Sequence, residues 1–170
     1  NQGYLDILII IGYNVHMRKP TVTIGIAALN EAENIKNILH TALSQHQTHF
    51  TLKQIILVSD GSSDNTVKIA KSIVYDRIQV IEYKKRGGQA RRISEIFHKA
   101  KSDYLVLIDA DMAFQSNKSL EILVDKIKNQ KADLVTGAVK PVNGVTLVEK
   151  AVYNYRLGRF AIQQKFDWGT

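Results

Sequence analysis

Tyr104 opens a run of four aliphatic residues, Leu105 to Ile108, that stops abruptly at Asp109-Ala110-Asp111. An apolar run this short, with no polar face, reads as a strand buried on both sides, as in a parallel sheet. Its acids then fall at the C-terminal end of the strand, where open α/β sheets bind their ligands. Carboxylates at i and i+2, with a small residue between them, suit a hard divalent cation that takes oxygen ligands and shares them with phosphates. An acidic strand-to-loop turn fits the same three residues, because Asp is common in turns. The rest of the chain decides between the two.

The chain has 170 residues, enough for one domain with a sizeable core. It is 45% hydrophobic and 23% charged, the balance of an ordinary globular protein. It has no cysteine, which excludes disulfides, thiolate chemistry and cysteine-ligated metals. The net charge of +7 suits phosphate-bearing ligands, an anionic membrane face or nucleic acid. Nothing but charge speaks for nucleic acid, and no nucleic-acid partner is expected.

Residues 1–19 stand apart. Leu5 to Ile11 is apolar except for Asp6, and His16, Arg18 and Lys19 follow. The run is too short to cross a bilayer, which needs about 20 apolar residues. It reads either as the cytoplasmic end of a membrane helix or as a peripheral strand or short helix packed on the domain. No signal-peptide cleavage pattern is present.

From Thr21 the pattern is regular. Val22, Ile24 and Ile26 mark a strand, and Glu31 to Leu43 has the spacing of an amphipathic helix. Ile55 to Val58 is a second strand, followed by a turn in which Ser62 or Ser63 is placed to cap a helix through Ile73. Ile78 to Ile81 is a third strand. Gln89 to Ala100 is a helix with Ala90, Ile93, Phe97 and Ala100 on one face. After the strand at Tyr104, Leu120, Leu123, Val124 and Ile127 mark a fourth helix and Leu134 to Val139 a fifth strand. The alternation predicts an α/β fold: a Rossmann-like, open, mostly parallel sheet with helices on both faces, in three α/β/α layers. Beyond Pro141 the pattern suggests one more helix toward Gln164, and Tyr153 to Trp168 is rich in aromatic and basic residues.

Four polar loops follow the first four of these strands, and this topology gathers them at one edge. They hold Asn30-Glu31, Ser59-Asp60-Gly61-Ser62-Ser63-Asp64, Lys84-Lys85-Arg86-Gly87-Gly88-Gln89, and Asp109-Ala110-Asp111. In the third loop, paired glycines at a helix N-terminus beside Arg86 suit a phosphate, although a solvated basic turn has the same composition. Asp60 suits a base N–H and Glu31 a ribose hydroxyl. Each is equally at home in a capped turn or a helix first turn. Jointly the loops offer a nucleoside site, a phosphate site and a metal site.

This combination resembles the family 2 glycosyltransferases, which have the nucleotide-sugar-binding GT-A fold. The resemblance runs from about Thr21 to Val139 on Ala27-Ala28-Leu29-Asn30-Glu31, Ser59-Asp60-Gly61-Ser62-Ser63-Asp64, Gly87-Gly88-Gln89-Ala90 and Asp109-Ala110-Asp111. It implies a GT-A domain over residues 20–170, and a metal-dependent, inverting transfer of sugar from a nucleoside-diphosphate sugar. Asn30, Glu31, Asp60, Arg86, Gly88 and Asp109 would hold a UDP- or GDP-linked donor. Asp109 and Asp111 would hold Mg²⁺ or Mn²⁺. The acceptor class would be lipid, polysaccharide or protein, and the setting cytoplasmic or the cytoplasmic face of a membrane, with a membrane surface as a further partner. Ala27 and Leu29 stand where the family has Pro and an aromatic residue. Arg91-Arg92-Ile93-Ser94 replaces an Ala-Leu-Asn-like stretch.

The family's catalytic base, an Asp or Glu, lies well beyond the Asp-x-Asp. Asp167 is the only acid after Glu149, and nothing around it matches the base motif. The expectation is a donor-binding part whose base lies beyond Thr170. The alternative is a nucleotide-sugar-binding module without transfer activity. A sugar-phosphate nucleotidyltransferase would want a glycine-rich basic loop after the first strand, and a Rossmann oxidoreductase a Gly-x-Gly-x-x-Gly there. Ala27 to Glu31 is neither.

Overall fold

A computed structural model of the chain describes residues 9–12, 18–130 and 132–137. The expected helix after Pro141 and the stretch from Tyr153 to Trp168, Asp167 included, lie outside the described residues. Six strands form one sheet: β1 (Ile9–Gly12), β2 (Thr21–Ala28), β3 (Thr51–Asp60), β4 (Ile78–Tyr83), β5 (Tyr104–Asp109) and β6 (Leu134–Thr136). Their order is β4-β3-β2-β5-β1-β6. The three pairings among β2 to β5 are parallel, and β1 runs antiparallel between β5 and β6. Residues 9–12 thus enter the sheet as a strand. Among the described residues no helix is long and apolar enough to cross a membrane.

The helices are α1 (Ile35–Leu43), α2 (Thr66–Ser72), α3 (Gln89–Lys99) and α4 (Ser119–Asn129). Period-two alternation in the strands divides the core into two layers. Ile55 and Leu57 of β3, with Tyr104, Val106 and Ile108 of β5, face the layer that buries Ile35, Ile38 and Leu39 of α1, Ala70 of α2 and Leu120, Val124 and Ile127 of α4. Ile56 and Val58, with Leu105 and Leu107, face the opposite layer, built on Ile96 of α3. Helices therefore cover both faces. A fully buried Ile or Leu contributes about 1.5–3 kcal/mol, so three such side chains, with Ala42, suffice to hold a nine-residue helix like α1 that would not persist alone.

On the α3 face β2 carries Gly25, where a Cβ would collide with Ile96. The missing side chain lets α3 approach the sheet closely. The face of α3 differs from the expected one. Arg92 and Ile96 are its buried residues, Ile93, Phe97 and Ala100 pack beside them, and Ala90 is exposed. An arginine in a helix pattern counts as polar, so the stripe centred on it is displaced by about one residue.

Two helix starts also move. Residues 31–34 form a turn, and α1 begins at Ile35 behind Asn34. α2 begins at Thr66 behind Asn65. Neither Ser62 nor Ser63 caps it. Their side chains turn toward the first loop instead.

Candidate active site

The register of the sheet aligns the carboxyl ends of the parallel strands. Ala28 lies opposite Ser59, Asp60 opposite Tyr83 and Ala27 opposite Asp109. The loops that follow enclose a cleft of about 210 Å³ lined by Glu31, Asp60, Arg86, Gln89, Asp109 and Asp111, over a floor of Ala27, Ala28, Leu29 and Ala110. Small residues at 27, 28 and 110 leave that floor open.

The first two loops are latched together. Asn30 has a positive φ of 56° and its Oδ1 accepts the Ser63 N–H at 2.8 Å, while the Asn30 N–H donates to Ser62 Oγ at 3.1 Å. The N–H of Glu31 donates to Thr66 Oγ1 at 2.8 Å and that of Ala32 to Asp64 Oδ2 at 3.0 Å. Burial pushes the Asp64 carboxyl up, but donors from Thr66 and Ala32 outweigh it and hold it below the ordinary value. Glu31 keeps its carboxylate at the cleft, with Oε2 accepting from Asn34 Nδ2 at 2.8 Å.

The second and third loops are joined by Asp60. This carboxylate is only 4% exposed. Its Oδ1 accepts the Gly87 N–H and Arg92 Nε–H, both at 2.6 Å, and its Oδ2 accepts the Gly88 N–H at 2.8 Å. Burial raises its pKa, and these donors together bring it below the ordinary carboxylate value. Arg92 lies 3.6 Å above the Tyr83 ring centroid. It also donates through Nη2 to the Lys85 carbonyl at 3.3 Å. Tyr83 Oη in turn donates to Glu95 Oε1 at 2.7 Å. Gly61, at φ 81°, completes the junction. A Cβ there would lie 2.8 Å from the backbone N of Arg86, so only glycine lets the two loops meet.

The fourth loop is less enclosed. Asp111 is exposed and Asp109 half-buried, with Gln89 Nε2 donating to Asp109 Oδ1 at 3.1 Å. Both are hard oxygen donors at one rim. Two carboxylates fit a divalent cation that completes its shell with water and diphosphate oxygens. Among the described residues no cluster of three or more His, Cys, Asp or Glu stands ready to hold a metal by itself.

Of the residues singled out from sequence, Glu31, Asp60, Arg86, Asp109 and Asp111 meet in the cleft. Asn30 and Gly88 do not line it. Asn30 joins two loops, and the Gly87 and Gly88 amides point at Asp60, where the sequence had offered them to a phosphate. Sequence reasoning missed Arg92 and Gln89. The one signal for Arg92 was its departure from the Ala-Leu-Asn-like pattern.

Comparison with known proteins decides the family. The model of glycosyl transferase family 2 matches residues 23–170. The chain belongs to this family. Relatives include the poly-beta-1,6-N-acetyl-D-glucosamine synthase of Staphylococcus epidermidis, 27% identical over 140 residues, which cover 79% of this chain and 32% of that protein. Glycosyltransferase GlyG of Streptococcus pneumoniae serotype 4 is 31% identical over 86 residues, 49% of this chain and 28% of the relative. The chain thus spans about a third of the length of the curated relatives it matches. Among solved structures, the mannosyltransferase PcManGT from Pyrobaculum calidifontis, in complex with GDP-Man and Mn²⁺, superposes with a TM-score of 0.58 at 23% identity, over 65% of this chain and 33% of that one. S. aureus TarS 1-349 in complex with UDP-GlcNAc does so with a TM-score of 0.58 at 18% identity, over 66% and 32%. The family 2 domain has the GT-A fold.

Proposed function

We propose that the cleft binds the nucleoside-diphosphate sugar of a metal-dependent, inverting glycosyltransferase. The carrying observation is that Glu31, Asp60, Arg86, Asp109 and Asp111, from four separate loops, line one cleft at the carboxyl edge of a family 2 domain. In this reading Asp60 accepts from the base and Glu31 from a ribose hydroxyl. Arg86 sits against the diphosphate, where a guanidinium matches phosphate oxygens. Asp109 and Asp111 would hold Mg²⁺ or Mn²⁺, which when bound would neutralise charge on the leaving diphosphate. GDP-Man with Mn²⁺ in one structural neighbour and UDP-GlcNAc in another support both the ligand class and the metal.

Transfer itself needs a base within about 3 Å of the acceptor hydroxyl, directly or through one water. The cleft acids are assigned to nucleotide and metal, and an acid holding a cation makes a poor base because its charged form is stabilised. We therefore place the base outside the described residues. A polysaccharide acceptor is the reading favoured by the poly-N-acetylglucosamine synthase relatives. Action at the cytoplasmic face of a membrane fits the net charge of +7.

Calorimetric titration of the 170-residue chain with UDP, GDP and pyrophosphate, with and without Mn²⁺, tests the site. Binding of at least one nucleoside diphosphate, tighter than pyrophosphate and strengthened by Mn²⁺, is expected. Affinities no better than that of pyrophosphate would remove the nucleoside assignment.

A further inference from the structure

Asp60 meets its neighbours in a way that limits what else it can accept. A carboxylate offers about four lone-pair positions, two on each oxygen. Oδ1 already accepts two donors, the Gly87 N–H and Arg92 Nε–H. Oδ2 accepts one, the Gly88 N–H. One position remains, on Oδ2, and Asp60 lines the cleft.

Arg92 cannot easily swing away from Oδ1. It is 4% exposed, stacked on Tyr83, bonded to the Lys85 carbonyl and 3.8 Å from the Glu95 carboxylate. The guanidinium is therefore a fixed part of the wall behind the base site.

We propose that Arg92 is a specificity-determining residue, which by filling Oδ1 restricts the site to a base with a single N–H donor, uracil, and excludes the paired donors of guanine. This rests on the reading of Asp60 as the group that faces the base. Guanine presents N1–H and its amino group side by side, and a carboxylate takes such a pair with both oxygens. At Asp60 one of the two would meet a saturated oxygen backed by a cation and be left buried without a partner. Uracil presents N3–H alone, which the free position on Oδ2 accepts. Cytosine and adenine bring a ring-nitrogen lone pair to the same place, and a carboxylate repels it.

The experiment is a titration of the full chain with UDP and with GDP in Mn²⁺, repeated for Arg92→Met and Arg92→Lys. The wild type should bind UDP about tenfold or more tighter than GDP, the scale of one donor left unsatisfied. Arg92→Met keeps an apolar stem over Tyr83 but frees Oδ1, and should bring the two affinities to within about threefold, on the scale of a neutral hydrogen bond. Arg92→Lys keeps a cationic donor and should retain most of the preference.

A purely structural Arg92 would weaken both nucleotides equally and leave their ratio unchanged in the Met variant, which overturns the proposal. Should Arg92→Met fail to fold, the wild-type ratio still decides: GDP as tight as UDP, or tighter, overturns it. That outcome leaves the cleft a nucleotide site. Failure of both nucleotides to exceed pyrophosphate would remove the nucleotide reading itself, and this proposal with it.

Discussion

Asp60 and Asp111 lie at the same edge of the sheet, after β3 and β5, each beside a small residue. Asp60 is buried, bonded to two amides and a guanidinium, and ties the second loop to the third. Asp111 is exposed at the rim. The first carboxylate is part of the fold as well as of the site. The second is available to ligand alone. In the proposed reading, therefore, stability is concentrated at the end of the cleft assigned to the nucleoside and exchangeable chemistry at the end assigned to the metal.

The largest test of that contrast is stability. Asp60→Ala takes the 2.6 Å carboxylate from the buried Arg92 guanidinium and leaves only Glu95, 3.8 Å away, as a counter-charge, which should cost about 3 kcal/mol, the low end for a broken buried pair. Asp111→Ala, away from any buried contact, should stay within about 0.5 kcal/mol. Urea midpoints of both variants measure this, and similar losses would dissolve the contrast.

The second test inverts the ranking. Asp111→Ala should erase the Mn²⁺-dependent part of UDP affinity, about 100-fold, since even groups that only orient metal ligands cost 10–100-fold. The melting temperature should hold. An unchanged affinity in Mn²⁺ would sink the metal assignment.

Backbone strain gives a finer comparison within the buried end. Gly61→Ala must bear a φ of 81° and push its Cβ against the backbone of Arg86, and should lose about 1–3 kcal/mol. Gly88→Ala bears a φ of 93° and a ψ of 147°, a region close to glycine-only, with nothing within 4 Å of its Cβ, so its loss, in the same range of about 1–3 kcal/mol, is conformational alone. Thermal melts rank the pair, and a costlier Gly88 variant would show that loop contact matters less than conformation.

The smallest effect concerns acid. The Asp60 carboxyl titrates below its ordinary value of 3.8 in the folded chain. The stability it confers is therefore complete above that value and is lost as pH falls below it, through the depressed folded pKa. Denaturation midpoints between pH 5 and 2.5 should fall less steeply in Asp60→Asn, which has no carboxyl to protonate there. Parallel curves would show that Asp60 is not what acid attacks.

Much of this was legible without coordinates. The run Leu105 to Ile108 reads as a strand covered on both sides, and the helix spacings around it argue for parallel crossovers. That topology alone brings four loops to one edge, which is why Glu31, Asp60, Arg86, Asp109 and Asp111 line one cleft. Hydrophobic periodicity is a one-dimensional signal with a strong energetic cause, so it survives folding almost unchanged.

What the sequence could not decide was where the polar groups of those loops would point. The Gly87 and Gly88 amides suit a phosphate by composition, yet they meet Asp60, and Arg92 was hidden inside a helix pattern as an exposed cation. Hydrogen bonds are short and directional, and their partners here lie 27, 28 and 32 residues apart in the chain. Only the packed sheet, by setting Asp60 of β3 against Tyr83 of β4, determines which donor reaches which acceptor.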